Sequence, residues 1–376
     1  MQDVLKHKDS LLKAVQVCLD KKLNFAAYRL PRAEGITLII QRDQELKELG
    51  DLDRNFPEKG FLISPFLRKK GEKTYLIRSD FILRDVVTAR QLQELVSIPA
   101  FSVNGIVKQY PEETGKEHYI LQIKDIVNRI MAGEFEKVVL SRIRCIMGRY
   151  SSRLSGIFNR LCMSYPDAFV YLFCANGNCW TGATPEPFIC DMDDELCTVS
   201  LAGTRPYSGE NMNVRNWKPK ELLELDFVTR HIEKVLLDFS ITSFKKKGPN
   251  TVRAGNLSHL RTDFTFSVQS AGAKLPSLIS ALHPTPAVCG MDSGKAMDFI
   301  RQTERHSREY YSGFLGPVGI DGLMQLYTNL RCMRVLDDRL ILFVGGGITR
   351  DSVPDEEWEE TEIKADTLLS VLHQVV

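Results

Sequence analysis

The spacing of apolar residues changes along this chain, and each change predicts a helix or a strand. Spacings of three and four residues predict helices, at 3–19, 116–132, 219–238, 276–282, 294–303 and 355–374. Short apolar runs rich in β-branched residues predict strands, at several places within 24–105 and at 137–147, 312–320, 323–335 and 338–345. Two hairpins are expected, one around Asn176-Gly177-Asn178 and one around Asp191 to Asp194.

Hairpins outnumber alternating strand-helix-strand units in this pattern. The sequence therefore predicts an α+β fold, with largely antiparallel sheets and helices packed outside them. No G-x-G-x-x-G follows a predicted strand and no Walker lysine motif occurs, so neither common nucleotide-binding fold is indicated.

Composition excludes several classes of function. The 376 residues include 49 basic and 48 acidic side chains without a basic block, so nucleic acid and membrane surfaces are not expected partners. The N-terminus lacks the apolar run of a signal peptide, and a cytoplasmic protein is expected. The nine cysteines form no C-x-x-C pair, so we expect small core side chains rather than a zinc site or a catalytic thiol.

Carboxylates near the C-terminus suggest a cation site. Glu357, Glu360 and Lys364 share one helical stripe, which could hold a divalent cation and an anionic ligand or be a solvated, salt-bridged face. Glu224 borders the apolar stripe of the 219–238 helix, where a carboxylate is usually a solvated rim residue. If Glu224 is buried, it needs a partner, and a hard cation would serve.

Two further ionisable residues occupy unusual positions. Lys137 begins an apolar strand and could be a surface lysine, or a neutral base if a desolvated site lowers its pKa. Glu186 lies between two prolines that restrict its backbone. It could be an ordinary turn residue or a catalytic acid.

Small and cationic residues could recognise anions. We expect tight loops after strands at Leu201 to Thr204 and at Gly345 to Gly347. These loops could be ordinary turns, or they could let backbone N–H groups approach an anion closely. Arg331, expected on a strand, would be a bidentate carboxylate clamp.

Taken together, these segments resemble the chorismate-utilising enzymes, the family of isochorismate, salicylate, anthranilate and aminodeoxychorismate synthases. Ten blocks in the family's order carry the resemblance across 116–376: F-E-K-V-V-L-S-R, G-A-T-P-E-P-F, L-A-G-T-R-P, K-E-L-L-E-L-D-F-V, L-S-H-L-R-T, L-H-P-T-P-A-V-C-G, R-E-Y-Y-S-G-F-L-G, N-L-R-C, V-G-G-G-I and E-W-E-E-T. We expect 116–376 to be the chorismate-binding core and 1–115 the variable N-terminal part of one integrated domain.

Two blocks favour one branch of the family. The lysine that begins K-V-V-L-S-R resembles the base of members that add water, and the H-P-T-P-A form with Ala287 resembles isochorismate synthases. Asp292, Leu225 and Asp226 depart from the family's pattern beside otherwise matching blocks.

The resemblance implies a role for each candidate residue. Mg²⁺ would be bound by Glu224 and Glu360, with Glu357 acting directly or through water. Lys137 would activate water for attack on C2, and Glu186 would protonate the departing C4 hydroxyl. The remaining residues would bind the substrate, with Tyr311, Arg331, Lys364 and the backbone at Gly346 on its carboxylates, Gly203 and Thr204 along its ring, and His259 and Ala287 around the pocket.

The implied activity is an Mg²⁺-dependent isochorismate synthase, an isomerase that converts chorismate to isochorismate for menaquinone or siderophore biosynthesis. A monomer is expected. Two alternatives stay open. One is a salicylate synthase, which also eliminates pyruvate in the same site. The other is a non-catalytic chorismate-binding subunit, although such a subunit would need neither Lys137 nor Glu186.

Overall fold

The computed structural model describes residues 2–50, 52, 56–67, 73–102, 111–254 and 257–373. The side chain of Val4 in the first predicted helix and the end of the last one at residue 374 lie outside the described part. The described α-helices are α1 Gln2–Asp20, α2 Ala89–Ser97, α3 Lys116–Met131, α4 Leu154–Ser164, α5 Pro219–Asp238, α6 Val268–Ala271, α7 Leu275–Leu282, α8 Ser293–Thr303 and α9 Pro354–Leu372.

The described strands are β1 Phe25–Arg29, β2 Thr37–Ile40, β3 Lys47–Leu49, β4 Gly60–Ser64, β5 Thr74–Ile77, β6 Phe81–Arg84, β7 Lys137–Met147, β8 Phe169–Ala175, β9 Asn178–Thr184, β10 Pro187–Met192, β11 Glu195–Pro206, β12 Phe244–Ala254, β13 Leu257–Ser267, β14 Gly290–Met291, β15 Phe314–Val318, β16 Gln325–Thr328, β17 Cys332–Val335 and β18 Arg339–Ile348.

These strands form two nine-stranded sheets within the described residues. The first has the order β14-β7-β18-β17-β9-β8-β1-β2-β6, and the second β12-β13-β11-β10-β16-β15-β4-β5-β3. The strand pairs described within both sheets are antiparallel, as β7 with β18 and β11 with β13 illustrate. The predicted α+β class with largely antiparallel sheets is confirmed.

Buried apolar residues fill three layers. Between the sheets, aromatic side chains such as Phe61, Phe169 and Trp180 pack together. Helices α1, α4 and α9 cover the outer face of the first sheet, and α5 and α7 cover that of the second. Each fully buried large apolar side chain stabilises the fold by about 1.5–3 kcal/mol, so the helices lie outside the sheets as predicted.

Local rules account for the elements that were predicted well. Helix α5 begins with Pro219, which has no N–H to leave unpaired there, and its stripe of Leu225, Val228, Ile232 and Val235 is buried. The turn between β8 and β9 has positive φ at Asn176 (48°) and Gly177 (75°), the backbone that a two-residue hairpin requires.

The predicted strand 323–335 was wrong, because the chain leaves one sheet and enters the other within it. β16 pairs with β10 and β15 in the second sheet, whereas β17 pairs with β18 and β9 in the first. Arg331 lies in the break, with a φ of 49°, and not on a strand. Glu186 lies at a second such crossing, between β9 and β10.

The two predicted glycine loops were also wrong. Gly345 to Gly347 lie inside β18, paired with Ser141, Leu140 and Val139 of β7. Leu201 to Thr204 lie inside β11, where the register shifts between Ala202 and Arg205, and Gly203 has a φ of 66°. In both places the strand has no side chain at the glycine positions and continues past them.

Other elements went unpredicted. The β12–β13 hairpin was missed because F-K-K-K-G-P-N-T-V-R-A is mostly polar and lies at a sheet edge. Helices α2 and α4 were missed as well. Cys174 and Cys179, expected to be free core side chains, are cross-strand neighbours joined by a disulfide.

The predicted boundary at residue 115 stays a prediction. β1 pairs with β8 across that boundary, and β4 pairs with β15 in the same way. None of the helices in the described chain is both long and apolar enough to cross a membrane.

Candidate active site

One cavity lies at the edge of the sheets, between α5 and α9, where the chain crosses from one sheet to the other. Twelve of the thirteen residues predicted from the sequence line it: Lys137, Glu186, Gly203, Thr204, Glu224, His259, Ala287, Tyr311, Arg331, Gly346, Glu360 and Lys364. These residues come from segments spread over more than 220 positions of the chain. The fold therefore brings the predicted groups together.

Lys137 is buried at the start of β7, with 2% of its side chain exposed. Its Nζ atom lies 3.6 Å from Oε2 of Glu224, and burial lowers the pKa of its ammonium despite that carboxylate. A lysine with a lowered pKa holds a larger neutral fraction, which is what a general base needs.

Glu186 is held by the crossing from β9 to β10 and is 5% exposed. Burial raises the pKa of its carboxyl to about 7, even though Lys137 and Arg331 favour the ionised form. The pKa values of Lys137 and Glu186 thus shift in opposite directions within one cavity. That arrangement suits one group to accept a proton and the other to donate one.

The three candidate metal carboxylates lie on two facing helices. Glu224 belongs to α5, whereas Glu357 and Glu360 belong to α9. Oε1 of Glu360 lies 2.7 Å from Nζ of Lys364. Burial alone would raise the pKa of Glu360, but Lys364, together with Lys220 and Arg331, outweighs burial and the pKa is lowered. The stripe of Glu360 and Lys364 is therefore largely buried and faces the cavity, not solvent.

Glu357 does not line the cavity directly. It is 2% exposed, forms an ion pair with Lys220, and its Oε2 atom has no hydrogen-bond partner. A Cβ atom added to Gly346 would lie 3.4 Å from that oxygen, so Glu357 lies just behind the Gly346 backbone.

Cationic and backbone groups occupy the rest of the cavity. Nζ of Lys364 donates to the carbonyl of Gly345 at 2.8 Å, and Nη1 of Arg331 donates to Thr367 at 2.9 Å. Burial lowers the pKa of the Arg331 guanidinium. Two partly buried cations beside a cavity would be stabilised by a bound anion, because a charge removed from water without enough partners is costly.

His259 is neutral in this environment. Burial lowers its pKa to about 3, and its Nδ1–H donates to the carbonyl of Gly203 at 2.7 Å. This bond connects β13 to the bulge of β11 and holds Gly203 and Thr204 beside the cavity. The supporting role of His259 stays a prediction.

Comparison with known proteins identifies the family. A family model described as chorismate binding enzyme matches residues 38–373. The chain belongs to this family. It is 30% identical to a salicylate biosynthesis isochorismate synthase of Pseudomonas aeruginosa over 267 residues, which cover 68% of this chain and 54% of that protein. It is 26% identical to the vibriobactin-specific isochorismate synthase of Vibrio cholerae over 72% of this chain and 70% of that protein.

A solved structure supports the fold assignment. The chain resembles a putative 2,3-dihydroxybenzoate-specific isochorismate synthase, DhbC, from Bacillus anthracis, with a TM-score of 0.75 and 20% identity. The likeness covers 96% of this chain and 99% of that one. The fold of this chain is therefore that of the chorismate-utilising enzymes.

Membership of the family implies a magnesium ion, and the carboxylates fit one in part. Among the described residues, no group of three or more His, Cys, Asp or Glu side chains is arranged to hold a metal ion. Nevertheless, Glu224, Glu357 and Glu360 supply only oxygen atoms, which Mg²⁺ prefers, and Oε2 of Glu357 is a buried atom without a partner. The donor chemistry fits Mg²⁺.

Sequence reasoning missed two contributors to the site. Lys220 forms ion pairs with Glu357 and Glu224, and its position four residues before Glu224 on α5 was an available signal. Gly347 was treated only as part of a loop, yet it lines the cavity. A Cβ atom there would lie 2.7 Å from Cε of Lys137 and 2.8 Å from Oε2 of Glu224.

Proposed function

We propose that this chain is an Mg²⁺-dependent isochorismate synthase, an isomerase that converts chorismate to isochorismate. The observation that carries the proposal is the pairing of Lys137 and Glu186. Both are buried in one cavity, and burial lowers the pKa of the first and raises that of the second. Two relatives whose names include isochorismate synthase add support.

In the proposed reaction Lys137 takes a proton from a water molecule as that water attacks C2 of the ring. The ring double bond shifts, and the C4 hydroxyl departs after receiving a proton from Glu186. One water is added and one is lost, so the product is an isomer of the substrate. Each proton transfer by a positioned group contributes typically about 10²–10⁴-fold.

The cationic part of the cavity would hold the carboxylates of the substrate. Arg331 and Lys364 supply charge, Tyr311 supplies a hydroxyl, and the strand at Gly346 supplies a backbone N–H. Gly203 and Thr204 would lie along the ring, and Ala287 would border it from the loop after α7.

The metal would be held by Glu224 and Glu360, with Glu357 acting directly or through water. When bound, Mg²⁺ would offset the negative charge that a dicarboxylate substrate brings beside three glutamates. Glu224 and Glu360 both line the cavity, on facing helices, which supports this assignment.

The test is an assay of the purified chain with chorismate and Mg²⁺, with products separated by chromatography. We expect isochorismate, and a Lys137→Ala variant should lose roughly 10²-fold or more of the turnover because its base is gone. Lys124→Ala, on the exposed face of α3, serves as the control and should keep full activity.

Other outcomes would contradict the proposal in distinct ways. A Lys137→Ala variant that keeps more than about a tenth of the turnover would exclude Lys137 as the base. Salicylate and pyruvate as the products would identify a salicylate synthase. Binding of chorismate without any turnover would identify a non-catalytic subunit.

A further inference from the structure

Lys220 lies between two of the three carboxylates assigned to the metal. Its ammonium forms an ion pair with Glu357 of α9, and its Nζ atom lies 3.7 Å from Oε1 of Glu224. Lys220 and Glu224 are one turn apart on α5, so both face α9. The Lys220 side chain is 19% exposed, and that of Glu357 is 2% exposed. A single ammonium thus bridges the two helices.

The charges around the site show what Lys220 balances. Glu360 has its own partner in Lys364, at 2.7 Å. Lys137 also lies near Glu224, with its Nζ atom 3.6 Å from Oε2 of that residue. Lys220 differs from Lys137 because it also forms an ion pair with Glu357, on the other helix. Lys220 is therefore the positive charge that Glu224 and Glu357 share.

We propose that the Lys220 ammonium is a tethered counter-ion that occupies the carboxylate site in the metal-free protein and competes there with the divalent cation. This inference rests on the proposed function, because it concerns the carboxylates assigned to Mg²⁺. The Lys220 side chain is 19% exposed, so it borders solvent as well as the two carboxylates.

The competition follows from shared oxygen atoms. An ammonium attached to α5 is present at a high effective concentration, which for short tethers is of the order of mM. A free cation must displace it from Glu224 and Glu357 before it can use the same oxygens. Without the Lys220 ammonium, Glu357 would lose its ion pair and Glu224 would keep only Lys137, which is costly and favours any cation that enters.

The test is a calorimetric titration of the metal-free protein with Mg²⁺, without substrate. Lys220→Met should bind Mg²⁺ at least about fivefold more tightly than the wild type, the lower end of typical coupling between two ligands. Lys220→Arg keeps the charge and should restore an affinity close to that of the wild type. Lys218→Met is the matched control, because Lys218 is exposed and pairs with Glu356 at 3.4 Å, outside the site.

Thermal unfolding provides a second readout that needs no catalysis. In excess chelator, Lys220→Met should melt below the wild type, because Glu357 has lost its ion pair and Glu224 has lost one of its two neighbouring cations. Saturating Mg²⁺ should raise the melting temperature of the variant more than that of the wild type. Lys220→Gln gives the same test with a polar side chain if the methionine variant does not fold.

Unchanged or weaker Mg²⁺ binding in Lys220→Met would overturn the proposal, and so would the absence of Mg²⁺ binding in both proteins. The proposal would also be overturned if Lys220→Arg bound Mg²⁺ as tightly as Lys220→Met does, because loss of the positive charge would then not be the cause. The chorismate assay separates these results from the proposed function. An active, Mg²⁺-dependent wild type with an unchanged variant affinity would leave the function standing and remove only the role of Lys220.

Discussion

Replacing Gly347 with alanine should damage the chemistry of the site while leaving the fold intact. The added Cβ atom would lie 2.7 Å from Cε of Lys137 and 2.8 Å from Oε2 of Glu224. Non-bonded carbon atoms pack best at about 3.5–4.0 Å, so the end of Lys137 must retreat by roughly 0.8 Å or more. Both obstructing atoms belong to the ends of flexible side chains, so they can move without disturbing the strands.

The expected loss follows from that displacement. A misplacement of about 1 Å in a reacting group can reduce the rate about 10²-fold. Because the same methyl group also displaces Glu224, the Mg²⁺ concentration needed for half-maximal activity should rise. We therefore expect kcat/KM for chorismate to fall about 10²-fold, with little change in melting temperature.

The assay is steady-state turnover of chorismate at several Mg²⁺ concentrations, together with thermal unfolding followed by circular dichroism. Gly156→Ala is the control, because this exposed glycine of α4 has open space where a Cβ would lie, and the variant should keep full activity. In contrast, Gly345→Ala would place a Cβ atom 2.7 Å from the backbone oxygen of Leu140 and should lower the melting temperature.

Two results would refute the reasoning about Gly347. Full activity in Gly347→Ala would mean that the positions of Lys137 and Glu224 do not matter for turnover. A large drop in melting temperature would mean that the methyl group disrupts the strands rather than the side chains.

Two other predictions concern the acid and the metal. Because burial raises the pKa of Glu186 to about 7 and a general acid must carry its proton, kcat/KM should fall as the pH rises above about 7; a pH-rate profile that keeps rising well beyond that value would exclude Glu186 as the acid. Glu360→Gln should raise the Mg²⁺ requirement strongly, whereas Glu359→Gln should not. Glu359 is 63% exposed, and its Oε1 atom lies 3.5 Å from Nζ of Lys116. Equal Mg²⁺ titration curves for the two variants would show that the chosen face of α9 is wrong.

Much of the local structure could be predicted because it depends on neighbours in the chain. The bounds of α5 follow from Pro219 at its start and from an apolar stripe with helical spacing. The hairpin at Asn176 and Gly177 follows from residues that accept a positive φ. The residues of the motifs were predicted as a set, and twelve of them line one cavity.

The predictions failed where pairing between distant strands determines the backbone. Apolar residues on both sides of Arg331 resemble one continuous strand, yet β16 and β17 belong to different sheets. The glycines of β18 resemble a loop, because a strand normally carries side chains. They remain in the strand since β7 supplies their hydrogen-bonding partners.

The sequence by itself determined the family, the helices, the hairpins and the identity of the ionisable groups, because these depend on residue type and short spacing. Only the tertiary structure decided the electrostatics of the site. Burial shifts the pKa values of Lys137 and Glu186 in opposite directions, and the fold places Lys220 of α5 between Glu224 and Glu357 of α9. Desolvation and Coulomb energies depend on distances through space, which spacing along the chain does not specify.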